Sequence, residues 1–283
     1  MSDSTRRLRS ASSVDAPSVS SPTVTTPVAV LQIIKPGSRL PGLKSSELTL
    51  LREKQRKLKA QALSTLESLP NDSPQMRTAL EASLIFAQEE AGSAVCVDPA
   101  GWVLTCAHCI GETEEEYRQS PTRWLLFYTG IAVRVECRAW DVRRDLALLK
   151  ITAVESAAPI PSFPFLRPSP QAPAKSTPIV CIGQPGQDDL ESSSARRTNY
   201  PFIFVSEGAF RGMVRGADPH DNTEIGTLKH DAWTYWGHSG APLIHAAEGT
   251  LIGLHSSWDD RTAMRHGVPH AAIQAFLQIH LNV

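Results

Sequence analysis

"GSAVCVDPAGWVLTCAHC", residues 92–109, holds two short apolar runs parted by a Pro-Ala-Gly turn and ends with a histidine between two cysteines. Runs of this length, rich in β-branched and aromatic side chains and broken by turn residues, read as β-strands. The texture continues in "ASLIFA" (82–87), "RWLLFYT" (123–129), "VRVECRAW" (133–140), "LALLKI" (146–151), "PIVCIG" (178–183), "FIFVSEGAF" (202–210) and "APLIHAAEGTLIGLHSS" (241–257). Such spacing predicts an all-β barrel or sandwich from about residue 81 onward. The end departs from it, since "PHAAIQAFLQIHL" (269–281) has helical spacing behind a proline.

Upstream the chain changes character. Residues 1–45 are rich in Ser, Thr and Pro and too poor in large apolar groups to bury a core, which predicts a disordered arm. Within it "VAVLQII" (28–34) reads either as a strand docking on the body or as a partner motif. Residues 46–80 form a helical segment: Leu48, Leu51, Leu58, Ala62, Leu66 and Leu69 mark one face, "REKQRKLK" (52–59) fills the other, and the helix ends before Pro70. It is expected to pack on the body or on a second copy of itself, so regulatory partners or homo-oligomerisation through residues 1–80 are open.

With 283 residues, 41% hydrophobic and 20% charged, the chain can build a sizeable core in one or two domains. The net charge of −1 conceals an imbalance, because residues 1–80 carry 12 Lys and Arg against 6 Asp and Glu, and the remainder 16 against 23. Nucleic-acid binding by the basic arm would rest on that charge alone and is not favoured. No apolar run reaches the ~20 residues that span a bilayer, and the N-terminus lacks the apolar region of a signal peptide. Cys96, Cys106, Cys109, Cys137 and Cys181 are odd in number and show no paired CxxC pattern, which fits free thiols in a reducing compartment, cytoplasmic or nuclear.

Three fragments belong together chemically. His108 follows a strand in "GWVLTCAHCI", Asp145 opens a strand in "RRDLALLKI", and Ser239 stands in "GHSGAPLI". A hydroxyl nucleophile needs an imidazole to take its proton and a carboxylate to hold that imidazole's tautomer. The order His, Asp, Ser, with gaps of 37 and 94 residues, suits two barrels that share a cleft.

On these motifs, together with "PIVCIGQPG" (178–186), "VSEGAF" (205–210) and "IGLHSSW" (252–258), the sequence from about residue 82 resembles the chymotrypsin-like serine peptidases, most of all their HtrA-like branch. The resemblance implies a double β-barrel, divided near residue 165, with a terminal helix. It further implies a triad of His108, Asp145 and Ser239, an oxyanion hole from the backbone N–H groups of Gly237 and Ser239, and neither cofactor nor metal. "CAHC" offers metal-type ligands without a second cluster at zinc-site spacing.

Departures from the family pattern matter. His238 replaces the aspartate that receives a new N-terminus in secreted relatives, so activation of that kind is not expected. Ala241 stands where a second glycine is usual and is expected to narrow the oxyanion site. The PDZ module that follows HtrA catalytic domains is not expected after residue 283. A peptide-binding scaffold with weak or no catalysis is the alternative, supported by His238 and Ala241. Thr234, His255 and Ser256 are the expected substrate-binding residues: glutamyl endopeptidases and related viral enzymes place threonine and histidine at the first two positions, which implies cleavage after Glu or Gln. If His255 titrates near 6.5, the preference for Glu over Gln should fall above that pH. Trp233 stands where trypsin-like enzymes have an aspartate, which disfavours a basic residue there. His220 and His230 read as structural or solvated residues of the loop before Ser239.

Overall fold

The computed structural model describes residues 31–70, 73–88, 91–189 and 196–281. Most of the expected arm, residues 1–30, lies outside them. Its remainder is ordered: β1 (Gln32–Ile34) pairs in parallel with β7 (Leu146–Glu155), Gln32 opposite Ala153 and Ile34 opposite Glu155. The "QII" part of the apolar patch is thus a docked strand, and the expected disorder does not extend to residue 45.

The helical segment is two helices, α1 (Ser45–Glu67) and α2 (Pro74–Ala82). Ser73 caps α2, its hydroxyl accepting from the Met76 N–H at 3.2 Å, and Pro74 occupies a first-turn position where no N–H is needed. Leu51 and Leu58 of α1 are buried, each worth about 1.5–3 kcal/mol relative to exposure.

The first barrel runs from β2 (Ser83–Phe86) through β3 (Ser93–Asp98), β4 (Trp102–Thr105), α3 (Glu114–Gln119), β5 (Thr122–Phe127) and β6 (Ala132–Asp141) to β7, in the order β7-β4-β3-β2-β5-β6. Pairing of β6 with β7 closes it. Strand β7 is long enough to serve β4 with Ala147–Lys150 and β1 with Ala153–Glu155 along the same edge. Leu84, Cys96, Val103, Leu125, Val133 and Leu149 fill the interior.

The second barrel contains β8 (Pro178–Gly183), β9 (Phe204–Met213), β10 (Leu228–His230), β11 (Pro242–His245), β12 (Leu251–Trp258) and β13 (Arg265–Pro269) in the closed order β10-β13-β12-β11-β8-β9. Helix α4 (His270–Leu281) follows. Its Phe276 joins Leu51, Met76, Leu80, Ile244 and Leu254 in one apolar cluster, so the helices share a core with both barrels. Closing each barrel removes the exposed strand edges that an open sheet would leave. The chymotrypsin-like double barrel is therefore the fold, and the cleft lies where the strand ends of the two barrels meet.

Candidate active site

His108 sits in a 3₁₀ turn, Ala107–Cys109, just past β4, held by a hydrogen bond from Trp140 Nε1 to the Ala107 carbonyl at 3.0 Å. Asp145 ends the turn before β7, where its N–H reaches the Val142 carbonyl at 3.3 Å. Its φ of 53° is left-handed, a strained state that Asp tolerates better than most residues and that collects at functional sites. The two meet through His108 Nδ1, which lies 2.9 and 3.0 Å from the Asp145 oxygens, while the His108 backbone N–H donates to Oδ1 at 3.2 Å.

Ser256 completes the carboxylate's surroundings. Its hydroxyl donates to Asp145 Oδ2 at 2.8 Å, and its carbonyl accepts from Ser239 Oγ at 3.1 Å. Ser256, expected as a substrate contact, ties the carboxylate to the serine. The Ser239 hydroxyl accordingly points at the Ser256 carbonyl, and among the described residues no hydrogen bond joins it to His108.

Electrostatics reinforce the pair. Burial pulls His108 down, but the adjacent Asp145 charge and the Cys109 thiol outweigh it and hold the imidazole well above the ordinary histidine value. Burial pushes Asp145 up, yet the His108 charge and the His108 and Ser256 hydrogen bonds keep it below the ordinary carboxylate value. The buried Cys106 thiol is pushed up by desolvation and donates to the His255 carbonyl at 3.4 Å. Cys106, His108 and Asp145 carry ligand-type atoms within 4.8 Å of one another, but those atoms are already engaged by each other and by His255. All five cysteines are unpaired, and burial raises Cys96, Cys137 and Cys181 to about 12.

Around Ser239 the backbone is tightly held. Ser93 N–H donates to the Ser239 carbonyl at 3.0 Å and Ser93 Oγ to the Gly237 carbonyl at 3.0 Å. Only glycine fits at Gly237 and Gly240: both have positive φ, and a Cβ would lie 2.5 Å from the Gln184 carbonyl at the first and 2.2 Å from the Ser93 carbonyl at the second. Neither the Gly237 nor the Ser239 N–H has a backbone acceptor among the described residues. Ala241 does not narrow this region; it is fully buried in the second barrel's core with Ile179, Cys181 and Leu243.

A scan of protein families matches residues 92–254 to the trypsin-like peptidase domain. The chain belongs to that family. Among solved structures, the peptidase resembles Rv3671c from M. tuberculosis H37Rv in an inactive mutant form, with 15% identity, 74% of this chain and 91% of that one covered, and a TM-score of 0.53. It also resembles the serine endoprotease from Yersinia pestis, with 19% identity, 72% of this chain covered and a TM-score of 0.52, although it spans only 64% of that protein's length. At these identities the likeness speaks to the fold. No curated protein matches the sequence. No described helix is long and apolar enough to cross a membrane.

The residues expected to bind substrate prove more buried than a solvated pocket needs. His255 is 2% exposed, and its Nδ1 lies 3.0 Å from His230 Nε2. His230 is therefore not a loop residue: it closes the second barrel as the last residue of β10. Burial, with the neighbouring His230, His238 and Arg265, holds His255 well below the ordinary histidine value, and burial takes His230 to about 3. That direction argues against a switch at pH 6.5 on His255. Thr234 is buried with its hydroxyl unpartnered. His238 is fully buried, and burial lowers it to about 4. Trp233 packs against Phe204 with ring centres 4.6 Å apart.

Proposed function

We propose that the peptidase is an intracellular serine endopeptidase in which residues 81–283 form the catalytic domain and residues 46–80 a helical appendage. Ser239 attacks the scissile carbonyl, His108 takes its proton and later returns it to the leaving amine, and Asp145 holds the imidazole with Nδ1 protonated and stabilises its charged form. The observation that carries the reading is the His108 Nδ1 to Asp145 contact at 2.9 Å beside a serine bonded to the same Ser256. The Gly237 and Ser239 N–H groups would receive the oxyanion, each worth ~3 kcal/mol to the transition state. Unpaired thiols support the intracellular assignment.

An inactive peptide-binding scaffold draws support from one observation, the Ser239 hydroxyl resting on the Ser256 carbonyl. A fluorophosphonate probe with the labelled residue mapped by mass spectrometry separates the two readings. Modification of Ser239 alone is expected. Intact Ser239 after prolonged exposure selects the scaffold.

Substrate is expected to lie along the free edge of β12. His255 still exchanges backbone hydrogen bonds with Gly240 and Ala241, and beyond it the β11 side of β12 has no strand partner among the described residues, while Ser257 and Trp258 still pair with β13. An extended peptide can add to that edge as a further strand. Trp236 and Trp258, 57% and 38% exposed with rings 6.4 Å apart, would flank it.

For the residue before the scissile bond we infer Glu or Gln. Of the two tautomers of the His230–His255 pair, one would leave a buried His230 N–H with no acceptor, since His230 Nδ1 is unpartnered. Orphaned buried N–H groups are rarer than orphaned acceptors, so His230 donates to His255 Nδ1 and leaves His255 Nε2–H as a donor for a side-chain oxygen. The unpartnered Thr234 hydroxyl supplies a second. Because His255 stays neutral, the ratio of kcat/KM for Glu over Gln substrates should be flat from pH 6 to 8, and His255→Ala should reduce both by about 100-fold. Peptide-library profiling checks this. A ratio that breaks near pH 6.5, or a preference for Val, Ala or Arg, contradicts it.

A further inference from the structure

Lys54 is fully buried, 1% exposed, on a helix whose charged face reads as solvated. An ammonium taken out of water costs several kcal/mol unless it finds acceptors, and a helix that merely packed would do as well with an apolar residue of similar length. Among its partners in the described residues, Lys54 Nζ reaches the Phe86 carbonyl at the end of β2, at 2.7 Å, and Gln184 Oε1 just past β8, at 3.5 Å, one in each barrel.

Both lead to the same loop. Gln184 is fully buried, and its N–H donates to Ser93 Oγ at 3.0 Å. Ser93 in turn holds the Gly237 carbonyl through its hydroxyl and the Ser239 carbonyl through its N–H. Phe86 fixes the other approach to Ser93, because its N–H donates to the Gly92 carbonyl at 3.0 Å. Two residues beyond Gln184, the Gly186 N–H donates to the Trp236 carbonyl at 2.5 Å. A trans peptide points its N–H opposite its C=O, so pinning the Trp236 carbonyl sets the direction of the Gly237 N–H.

Resting on the serine-peptidase reading, we propose that Lys54 is a positioning residue for the oxyanion loop, through which α1 acts as a built-in activator of the site. The ammonium braces Phe86 against Gln184, and the nearby Ser93 and Gly186 hold the carbonyls of Trp236, Gly237 and Ser239. The Gly237 N–H donor is thereby aimed before substrate arrives, which is the form of preorganisation that lowers a barrier with little effect on ground-state binding. Helix α1 has its own separate anchors: Arg52 Nη1 on Glu155 at 2.6 Å, Gln55 Nε2 on Glu155 at 2.7 Å and Lys57 over the Phe202 ring at 5.0 Å. Its docking therefore survives loss of the charge at position 54.

The test uses the full chain and three variants. Lys54→Met keeps the apolar stem and removes the charge, Gln184→Met removes the acceptor on the loop side, and Arg52→Met loosens the helix without touching the loop. Lys54→Met and Gln184→Met are each expected to lower kcat by ~100-fold, the scale of one lost oxyanion donor, with KM changed less than about twofold. Affinity for a peptide aldehyde, which needs the oxyanion donors, should fall by a similar factor. Arg52→Met should lower the melting temperature and leave kcat in place. Equal kcat in wild type and both Met variants overturns the proposal, as does a kcat loss in Arg52→Met that matches theirs. Should Lys54→Met fail to fold, Gln184→Met decides alone. A wild-type chain without turnover or Ser239 labelling removes the peptidase reading and this one together, whereas active wild type with active variants removes only this one.

Discussion

Ser239→Ala is expected to lower kcat by roughly 10⁶-fold while the protein stays folded, since the residues of a triad act as a unit and the loss of the nucleophile forfeits nearly all they do together. The structural cost is small. Ser239 Oγ makes one hydrogen bond, to the Ser256 carbonyl, and the change to a methyl leaves the Ser93 N–H on the Ser239 carbonyl untouched. About 1 kcal/mol of stability is at stake. The residue keeps its backbone N–H, so an alanine variant retains both proposed oxyanion donors and should still bind a substrate peptide with near-native affinity. Single-turnover kinetics on a fluorogenic peptide, paired with equilibrium binding of the same peptide to the variant, checks both halves. Turnover within tenfold of wild type would remove Ser239 from the mechanism, and loss of peptide binding would show that the serine supports the cleft rather than the chemistry.

The β texture was legible because most of the longer strands are apolar runs, as in β7 and β8, or alternate apolar with polar residues, as in β6, and are bounded by turn residues. The shorter closing strands were not. Leu228–His230 and Arg265–Pro269 carry Lys, His and Arg and have no alternation long enough to register, yet they close the second barrel and place His230 against His255. The histidine therefore read as a loop residue. The segment "REKQRKLK" misled for a different reason: periodicity assigns charged residues to the solvent face, whereas Lys54 and Gln55 are buried because two barrels, not one surface, meet the helix. Gln55 and Arg52 find Glu155 there. Burial pushes that carboxyl up, but hydrogen bonds from Gln55, Arg52 and the Gly37 N–H outweigh it and hold it below the ordinary value. No one-dimensional pattern contains such a long-range partner. His108 and Asp145 were legible as types at strand ends, while the link through Ser256 joins residues 111 positions apart in the chain and has no signature in sequence.

Asp145→Asn is expected to cost roughly 10⁴-fold in kcat at neutral pH and to move the acid limb of the activity profile in a defined direction. The carboxylate accepts three hydrogen bonds, from His108 Nδ1, the His108 N–H and Ser256 Oγ. A carboxamide of the same shape accepts with one oxygen and presents N–H donors with the other group. Facing His108 it favours the tautomer with the proton on Nε2, the atom that must receive the Ser239 proton, so the base is disabled without a change in packing. In the wild type the Asp145 charge overcomes burial and raises His108. The base works only when neutral, so activity should be present above that raised value and lost as pH falls through it, with a midpoint above 6.5. Stability runs the other way: what the imidazolium gains from Asp145 is fully present below the unfolded value near 6.5 and is lost as pH rises through the folded one. In Asp145→Asn the Asp145 charge is gone and Cys109 alone opposes burial, so the residual acid limb should shift downward from the wild-type midpoint. The kcat/KM profile of both proteins between pH 5 and 9 measures this. A wild-type midpoint at or below 6.5, or one that does not fall in the variant, would mean that the Asp145 charge does not control His108.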